Sequence, residues 1–315
     1  MIIACYTEDR WASLVRAIDS VERQEPRAEA TIVAVDNNPG LAERLRSSRP
    51  AAVVVENHMG QGASNARNAG AAAALTPYLA FLDDDARARD GWLSALLAPL
   101  AEDGVVGVGG AVAAAWQTDR PRWFPDEFAW VVGASYRGLP EATSPVRNVW
   151  SENMAVKRDA FDAVGGFRSD FGKVGHTSRP EDTDLCIRMS AASAGGRWMY
   201  VPSAVVDHEV PADRATLRFF LRRSYWEGLG KIEMTYHLGD QQDLSSENDW
   251  LRHTVPRGLI RHLRAAVTRA SADDAARAAA LAGGTFAAAI GAGAGMLRRP
   301  RRRARTAGVR PRSRV

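Results

Sequence analysis

Cysteine is nearly absent from the chain: Cys5 and Cys186 are the only two among 315 residues. Two thiols cannot build a disulfide framework or a Cys-rich zinc site, and such sparing use fits a reducing compartment, the cytoplasm. The N-terminus lacks a basic stretch ahead of an apolar run. Met1-Ile2-Ile3-Ala4 leads directly into charged residues, so no signal peptide is expected. A dominant charge is missing too. The net charge is +4, yet residues 298–315 hold nine Arg and no acid, which leaves the body with 32 basic and 37 acidic residues. No nucleic-acid partner is expected from that balance, because the positive charge sits in a tail. With 46% hydrophobic and 25% charged residues, collagen-like and wholly disordered chains are excluded. The length suits one large domain with appendages or two modest ones.

What is present is a regular alternation over the first hundred residues. Ile2 to Tyr6, Thr31 to Val35, Ala52 to Val55 and Tyr78 to Leu82 are short continuous apolar runs, the pattern of buried strands. Between them Trp11, Leu14, Val15, Ile18 and Val21 recur at helical spacing, Leu41 to Arg46 reads as a short helix, and Ser64 to Leu75 is Ala-rich and helical. A helix over Trp92 to Leu100 and a strand near Val105 to Val112 follow. Buried strands separated by helices predict an α/β fold, a Rossmann-like, mostly parallel sheet with helices on both faces. The runs end in Thr7-Glu8-Asp9-Arg10, Asp36-Asn37-Asn38, Glu56-Asn57-His58 and Asp83-Asp84-Asp85. In an open parallel sheet those ends share the carboxyl edge, where ligands bind.

From residue 113 to 150 the pattern gives way to Trp116, Trp123, Phe124, Phe128, Trp130, Tyr136 and Trp150. Such a stretch is too long for an idle loop; it is either a functional excursion or a satellite core. Helical and strand signals return after it, through residues 214–234 and 257–270. The expected division is an α/β half with its ligand-binding edge over 1–112, a second half of the same domain over 113–235, a helical extension over 236–297 and an Arg-rich disordered tail over 298–315. Residues 278–297 carry no charge and are long enough to span a bilayer, at roughly 20 residues, but Ala and Gly dominate them. An interfacial helix drawn to anionic lipid by the tail is one reading, and a plain surface helix with a disordered tail is the other.

Asp83-Asp84-Asp85 directly after a buried strand is the sharpest chemical signal. In extended backbone Asp83 and Asp85 share a face, and hard ions such as Mg²⁺ or Mn²⁺ take carboxylate together with substrate phosphate. Asp36 is placed to bond a base or ribose, or to cap the helix ahead of Pro39. Gly60-Gln61-Gly62 before a helix with Arg67 allows close approach of a nucleotide or simply makes a turn. Glu181-Asp182 opens a helix, where acids complement the dipole, and His208 ends a strand.

Together these pieces resemble the family 2 glycosyltransferases, inverting enzymes with the glycosyltransferase A fold. The resemblance rests on Thr7 to Arg10, Val35-Asp36-Asn37, Gly62 to Gly70, Phe81 to Asp85, Asn153 to Val156, Gly165-Gly166-Phe167, Glu181 to Leu185 and His208, over residues 1–235. It implies a sugar moved from a nucleotide-diphosphate donor, UDP-linked, to an acceptor hydroxyl with inversion. Asp36 and Asp83 would contact the base and ribose, with Thr7, Glu8 and Arg67 nearby. Asp85, in the family's DXD motif, would hold the divalent metal (Mn²⁺ or Mg²⁺), assisted by His208. Asp182 would be the general base beside Glu181, and Trp150 and Asn153 would line the sugar and acceptor side. The Trp123-Phe124-Pro125 and Gly228 to Lys231 segments look like the subgroup acting on polyprenyl-phosphate-linked sugars, so the acceptor would be a saccharide or a lipid-linked one. Two alternatives remain open. A sugar nucleotidyltransferase shares a related fold but needs a Gly-rich basic loop after the first strand, where this chain has Thr7-Glu8-Asp9-Arg10. An inactive nucleotide-sugar binding module needs none of the intact acids.

Overall fold

A computed structural model describes residues 1–174, 177–238 and 245–297. The first half follows the expected alternation: β1 (Ile2–Cys5), α1 (Trp11–Glu22), β2 (Ile32–Asp36), α2 (Pro39–Ser48), β3 (Val53–Asn57), α3 (Ala63–Ala73) and β4 (Tyr78–Asp83). A short β5 (Ala86–Ala88), α4 (Trp92–Leu100) and a long β6 (Val105–Trp116) come next. Then follow β7 (Ser144–Val146), β8 (Asn153–Lys157), α5 (Arg158–Ala163), β9 (Gly172–Val174), β10 (Thr177–Arg179), α6 (Glu181–Ala192) and β11 (Arg197–Val210). The C-terminal helices are α7 (Leu217–Leu238), α8 (Ser245–Asp249), α9 (Val255–Thr268) and α10 (Ala272–Leu297).

Nine of these strands form one sheet in the order β3-β2-β1-β4-β8-β6-β11-β5, with β7 also paired to β11. β3, β2, β1 and β4 are parallel, as the alternation predicts. Beyond β4 the sheet turns mixed: β8 inserts antiparallel between β4 and β6, and β6 and β11 run parallel to each other. The strand expected over 105–112 continues to Trp116, so the boundary expected at 112 falls inside one element. The 236–297 boundary likewise falls within α7.

Strand periodicity decides which face each apolar residue covers. Ile3 and Cys5 join Val33, Val35 and Leu82 under α1, α2 and α4, with Leu14, Ile18, Leu45 and Trp92 wholly buried there. Ile2, Ile32, Leu79 and Phe81 point the other way, onto Phe161, Phe167, Leu185 and Met189. This alternation is the period-two rule of a pleated strand, and it places helices on both faces. On that second face α3 lies close to the sheet at Gly70, where a Cβ would stand 2.6 Å from the Ile2 side chain.

The aromatic stretch builds a third core. Phe124, Phe128 and Phe220 stack with Trp123, Trp130 and Trp250 against Leu281 of α10, so this part of the 113–150 excursion is a satellite core. α10 meets α7 through small residues: Cβ atoms at Gly228 and Gly291 would lie 2.0 and 1.9 Å from the carbonyl oxygens of Ala288 and Tyr225. α10 is long and apolar enough to cross a membrane by length and composition. One of its faces is packed in this way, while Phe286, Ile290, Met296 and Leu297 are exposed on the rest. The Arg-rich tail lies outside the described residues.

Candidate active site

The carboxyl ends of β1, β2 and β4 gather the polar residues as expected. Thr7 caps the turn Glu8–Arg10, its Oγ1 accepting from the Asp9 amide at 3.2 Å. Glu8 points across to Arg44 of α2 at 3.2 Å. Asp36 accepts from Asn57 Nδ2 at 2.7 Å, Asn37 Nδ2 at 2.8 Å and the Gly62 amide at 2.8 Å. It therefore fixes the glycine loop, whose Gly60 and Gly62 sit at φ of 110° and 126°, where a side chain would be strained. The helix cap ahead of Pro39 falls to Asn38, which accepts from the Leu41 amide.

A second group lies at the end of β4. The Arg67 guanidinium, 6% exposed, donates to Asp83 at 2.6 Å and reaches Glu181 at 3.3 Å. α3 and the start of α6 thus meet over the strand end through one cation. Asp182 accepts from the Thr183 amide at 2.7 Å, and Lys231 of α7 reaches the Thr183 hydroxyl at 3.4 Å. Burial pushes the Asp182 carboxyl up, opposed by Lys231, and burial with Asp182 beside it pushes Glu181 up to about 7. A carboxyl at about 7, as Glu181 is, can exchange its proton near neutral pH.

The third group centres on Asp85. Arg10 bridges Asp84 at 3.0 Å and Asp85 at 2.9 Å, and His208 Nε2 stands 3.5 Å from the other oxygen of Asp85. Burial alone would raise Asp85, but His208, Arg10 and Arg214 bring it down to about 2. Burial would lower His208, and Glu152 and Asp85 outweigh it, raising the imidazole to about 9. Asp84, without such company on its second oxygen, rises to about 7 through burial and the neighbouring Asp85. Gly133 leaves room for the His208 ring, since a Cβ there would come within 2.7 Å of it.

Asp83 and Asp85 thus face different cations, Arg67 and Arg10, yet both act on Glu152. That carboxyl, 3.9 Å from His208 Nε2, is raised to about 8, first by burial and further by Asp83, Asp85 and Asp182. Two residues given no role of their own from sequence belong here, Arg10 and Lys231, and with them Glu152, which the resemblance places only on the sugar and acceptor side. Arg10 was signalled by its place directly after β1, and Glu152 by its place in Trp150-Ser151-Glu152-Asn153. Trp150 leans on the sheet core and meets Tyr136 edge to face at 6.2 Å. Asn153 departs from its expected place on the sugar side. β11 shifts register between Val201 and Val205, and Asn153 Nδ2 donates to the freed carbonyl of Ala204 and to that of Ala111, while its oxygen accepts from Trp92 Nε1. Both Nδ2 hydrogens serve the junction of β6, β8 and β11, and the oxygen holds α4 to it through Trp92.

A divalent ion fits this donor set in part. Among the described residues no three His, Cys, Asp or Glu side chains form a metal cluster. Asp85 and His208 do supply a buried oxygen and a nitrogen side by side, and Nδ1 of His208 is buried without a partner. One or two protein ligands completed by substrate phosphates is the usual arrangement for ions of the Mg²⁺ type.

The sheet, mixed with a wound parallel half and with acids gathered at its carboxyl edge, has the glycosyltransferase A fold, as its solved neighbours show. The mannosyltransferase PcManGT from Pyrobaculum calidifontis, solved with GDP-Man and Mn²⁺, superposes with a TM-score of 0.59 at 17% identity, covering 92% of this chain and 85% of that one. GalNAc-T7 with UDP, GalNAc and Mn²⁺ superposes with a TM-score of 0.52 at 16% identity over 79% of this chain, which spans about half of that one (52%). In sequence, residues 1–165 match the model of the glycosyl transferase family 2. A glucosyl-dolichyl phosphate glucuronosyltransferase of Haloferax volcanii is 30% identical over 239 residues, 74% of this chain and 76% of that protein. The succinoglycan biosynthesis protein ExoM of Rhizobium meliloti is 29% identical over 233 residues, 72% and 71% of the two chains. The chain belongs to glycosyl transferase family 2 and is a glycosyltransferase of the hexosyl-transferring class.

Proposed function

We propose that the enzyme transfers a hexosyl group from a UDP-linked donor to an acceptor hydroxyl with inversion, and that Asp182 is the general base. The observation that carries this reading is the setting of Asp182. It opens α6 with its carboxylate oriented by the Thr183 amide, raised by burial, and it acts on the same Glu152 that senses Asp83 and Asp85. An acceptor hydroxyl is a weak nucleophile at neutral pH, and a carboxylate that takes its proton during attack contributes about 10²–10⁴-fold in rate. Attack from the side opposite the departing nucleotide inverts the anomeric centre. Asp36 and Asp83, with Thr7, Glu8 and Arg67 around them, line the donor end. Asp85 and His208 would hold the divalent ion, which when bound neutralises charge on the diphosphate.

The Haloferax volcanii relative, named for a glucosyl-dolichyl phosphate, supports a lipid-linked saccharide as acceptor. A peripheral site at the inner face of the cell membrane fits that acceptor. The exposed Phe286, Ile290, Met296 and Leu297 of α10 run straight into a segment with nine Arg in 18 residues, a pairing suited to anionic lipid. The test of the base is Asp182→Asn, measured in steady-state transfer and in donor binding. The expected result is a fall in kcat of about 10²–10⁴-fold with donor affinity kept. Normal turnover would overturn the assignment.

A further inference from the structure

A polar cavity lies away from these groups, outside the carboxyl edge of the sheet. It is a hollow of about 350 Å³ between the segment 120–137 and the α9–α10 hairpin, lined by Arg120, Arg122, Arg137, Arg261 and Arg277 together with His262. That volume is at the low end of small-molecule sites, the size of a head group rather than of a whole nucleotide sugar. Three carboxylates stand among the five guanidinium groups: Asp126 between Arg120 and Arg137, Glu127 behind Arg261, and Asp274 beside Arg277 and His262. Two positive charges are left over, or one when Asp273, 3.9 Å from Arg122, is included at the rim.

The hollow is built rather than accidental. Glu127 is wholly buried, with 0% exposure, and an ionised carboxylate in such a place costs several kcal/mol of lost hydration unless it is paired. Arg261 Nη2 holds it at 2.5 Å and His262 Nε2 stands 3.5 Å away, while one of its oxygens lacks a hydrogen bond. α9 makes room for this carboxyl at Gly258, where a Cβ would come within 2.5 Å of it. A buried acid that orients a surface arginine is the arrangement by which outer partners fix a binding group. Asp126 serves two arginines at once, at 2.5 and 3.3 Å, so neither guanidinium is saturated. Each retains N–H donors of the planar fork that matches phosphate oxygens.

We propose that this hollow is a second anion site, distinct from the donor cleft, which takes the phosphate or diphosphate group of a ligand other than the sugar nucleotide. The same chain segment carries Gly133 against His208, so an anion seated here braces the wall of the donor cleft from behind. The ligand is either a free phosphate compound or the head group of a membrane lipid; both present the same oxygens.

The test uses the full chain in EDTA, which silences metal-dependent binding in the donor cleft. Inorganic diphosphate is titrated by calorimetry against wild type and against Arg122→Ala/Arg137→Ala, two arginines 85% and 56% exposed whose removal spares the core. Removing charge-assisted hydrogen bonds to the anion weakens its binding, so the double variant should bind diphosphate about tenfold or more weakly, with Mn²⁺-dependent nucleotide binding unchanged. Equal affinity in variant and wild type would overturn the site, as would the absence of any diphosphate binding by wild type. A second arm compares flotation with vesicles of phosphatidylcholine containing phosphatidic acid. Both proteins keep the Arg-rich tail, so only a difference between them reports the hollow. Such a difference, abolished by diphosphate, identifies a lipid head group as the source; diphosphate binding without it identifies a free phosphate compound.

Discussion

Replacing Arg67 by Met would remove a cation that joins α3, β4 and α6. Arg67 is 6% exposed and bonds Asp83 at 2.6 Å and Glu181 at 3.3 Å, carboxylates that are themselves 28% and 18% exposed. Breaking a buried pair by removing one partner costs about 3–5 kcal/mol, because the other charge stays desolvated. The cost must depend on pH with a definite sign. Glu181 already sits at about 7 against an unperturbed 4.5, and Arg67 is among the groups that hold it down. The native state therefore keeps a proton that the unfolded chain has released between about pH 4.5 and 7. Stability contributed by that carboxyl falls as pH rises through this window. Without Arg67 the upper end moves higher, and each further pKa unit is worth about 1.4 kcal/mol. Urea denaturation of wild type and Arg67→Met at pH 8.5 and pH 5.5 measures this directly. The expected deficit is about 3–5 kcal/mol at pH 8.5, and smaller by about 1 kcal/mol or more at pH 5.5, where Glu181 is protonated in both proteins. An equal deficit at the two pH values would mean that Arg67 does not hold the Glu181 carboxyl down.

The α7–α10 contact predicts opposite outcomes for two nearby glycines. Gly291→Ala forces a Cβ to 1.9 Å from the Tyr225 carbonyl oxygen and should lower stability by about 1–3 kcal/mol or more. Gly293→Ala meets nothing within 4 Å, removes the helix penalty of glycine, and should raise stability by up to about 1 kcal/mol; calorimetric Tm values read both. Asn153→Leu would strand the Ala111 and Ala204 carbonyls and Trp92 Nε1. At about 1–3 kcal/mol per orphaned group it should destabilise strongly while leaving donor KM unchanged, whereas a sugar-contact role would give the reverse.

The first half of the fold was legible because a buried parallel strand writes a continuous apolar run and its helix writes a 3.6-residue period. Ile2 to Cys5 and Tyr78 to Asp83 carried that signal without interference. The mixed half was not legible in the same way. β8 is a five-residue strand, Asn153–Lys157, and nothing local says that it enters between β4 and β6; that is a long-range pairing. The grouping of polar residues at the carboxyl edge was legible wherever they followed a buried strand, as at Asp36, Asp83 and Asp85. Asn153 misled because an Asn beside a Trp and a Glu looks like a ligand contact, and only the register shift in β11 reveals the carbonyls it serves. Trp123, Phe124, Phe128 and Trp130 carried two readings until the covering helices α7 and α10 were placed. Glu152 was legible only as part of Trp150 to Asn153, because burial and the acids that raise it, Asp83, Asp85 and Asp182, are brought together by the fold and not by the local sequence.

In the proposed function the Asp85–His208 pair holds the ion that binds the donor diphosphate beside the Asp182 base. The most direct measurement is calorimetric titration of UDP-hexoses into wild type and Asp85→Ala with Mn²⁺, repeated in EDTA, with circular dichroism to verify that the variant is folded. The expected result is a donor that binds wild type only with Mn²⁺ and binds Asp85→Ala about tenfold or more weakly, the loss of one protein ligand to the metal and its charge. Donor affinity that is the same with and without Asp85, or with and without Mn²⁺, would contradict it.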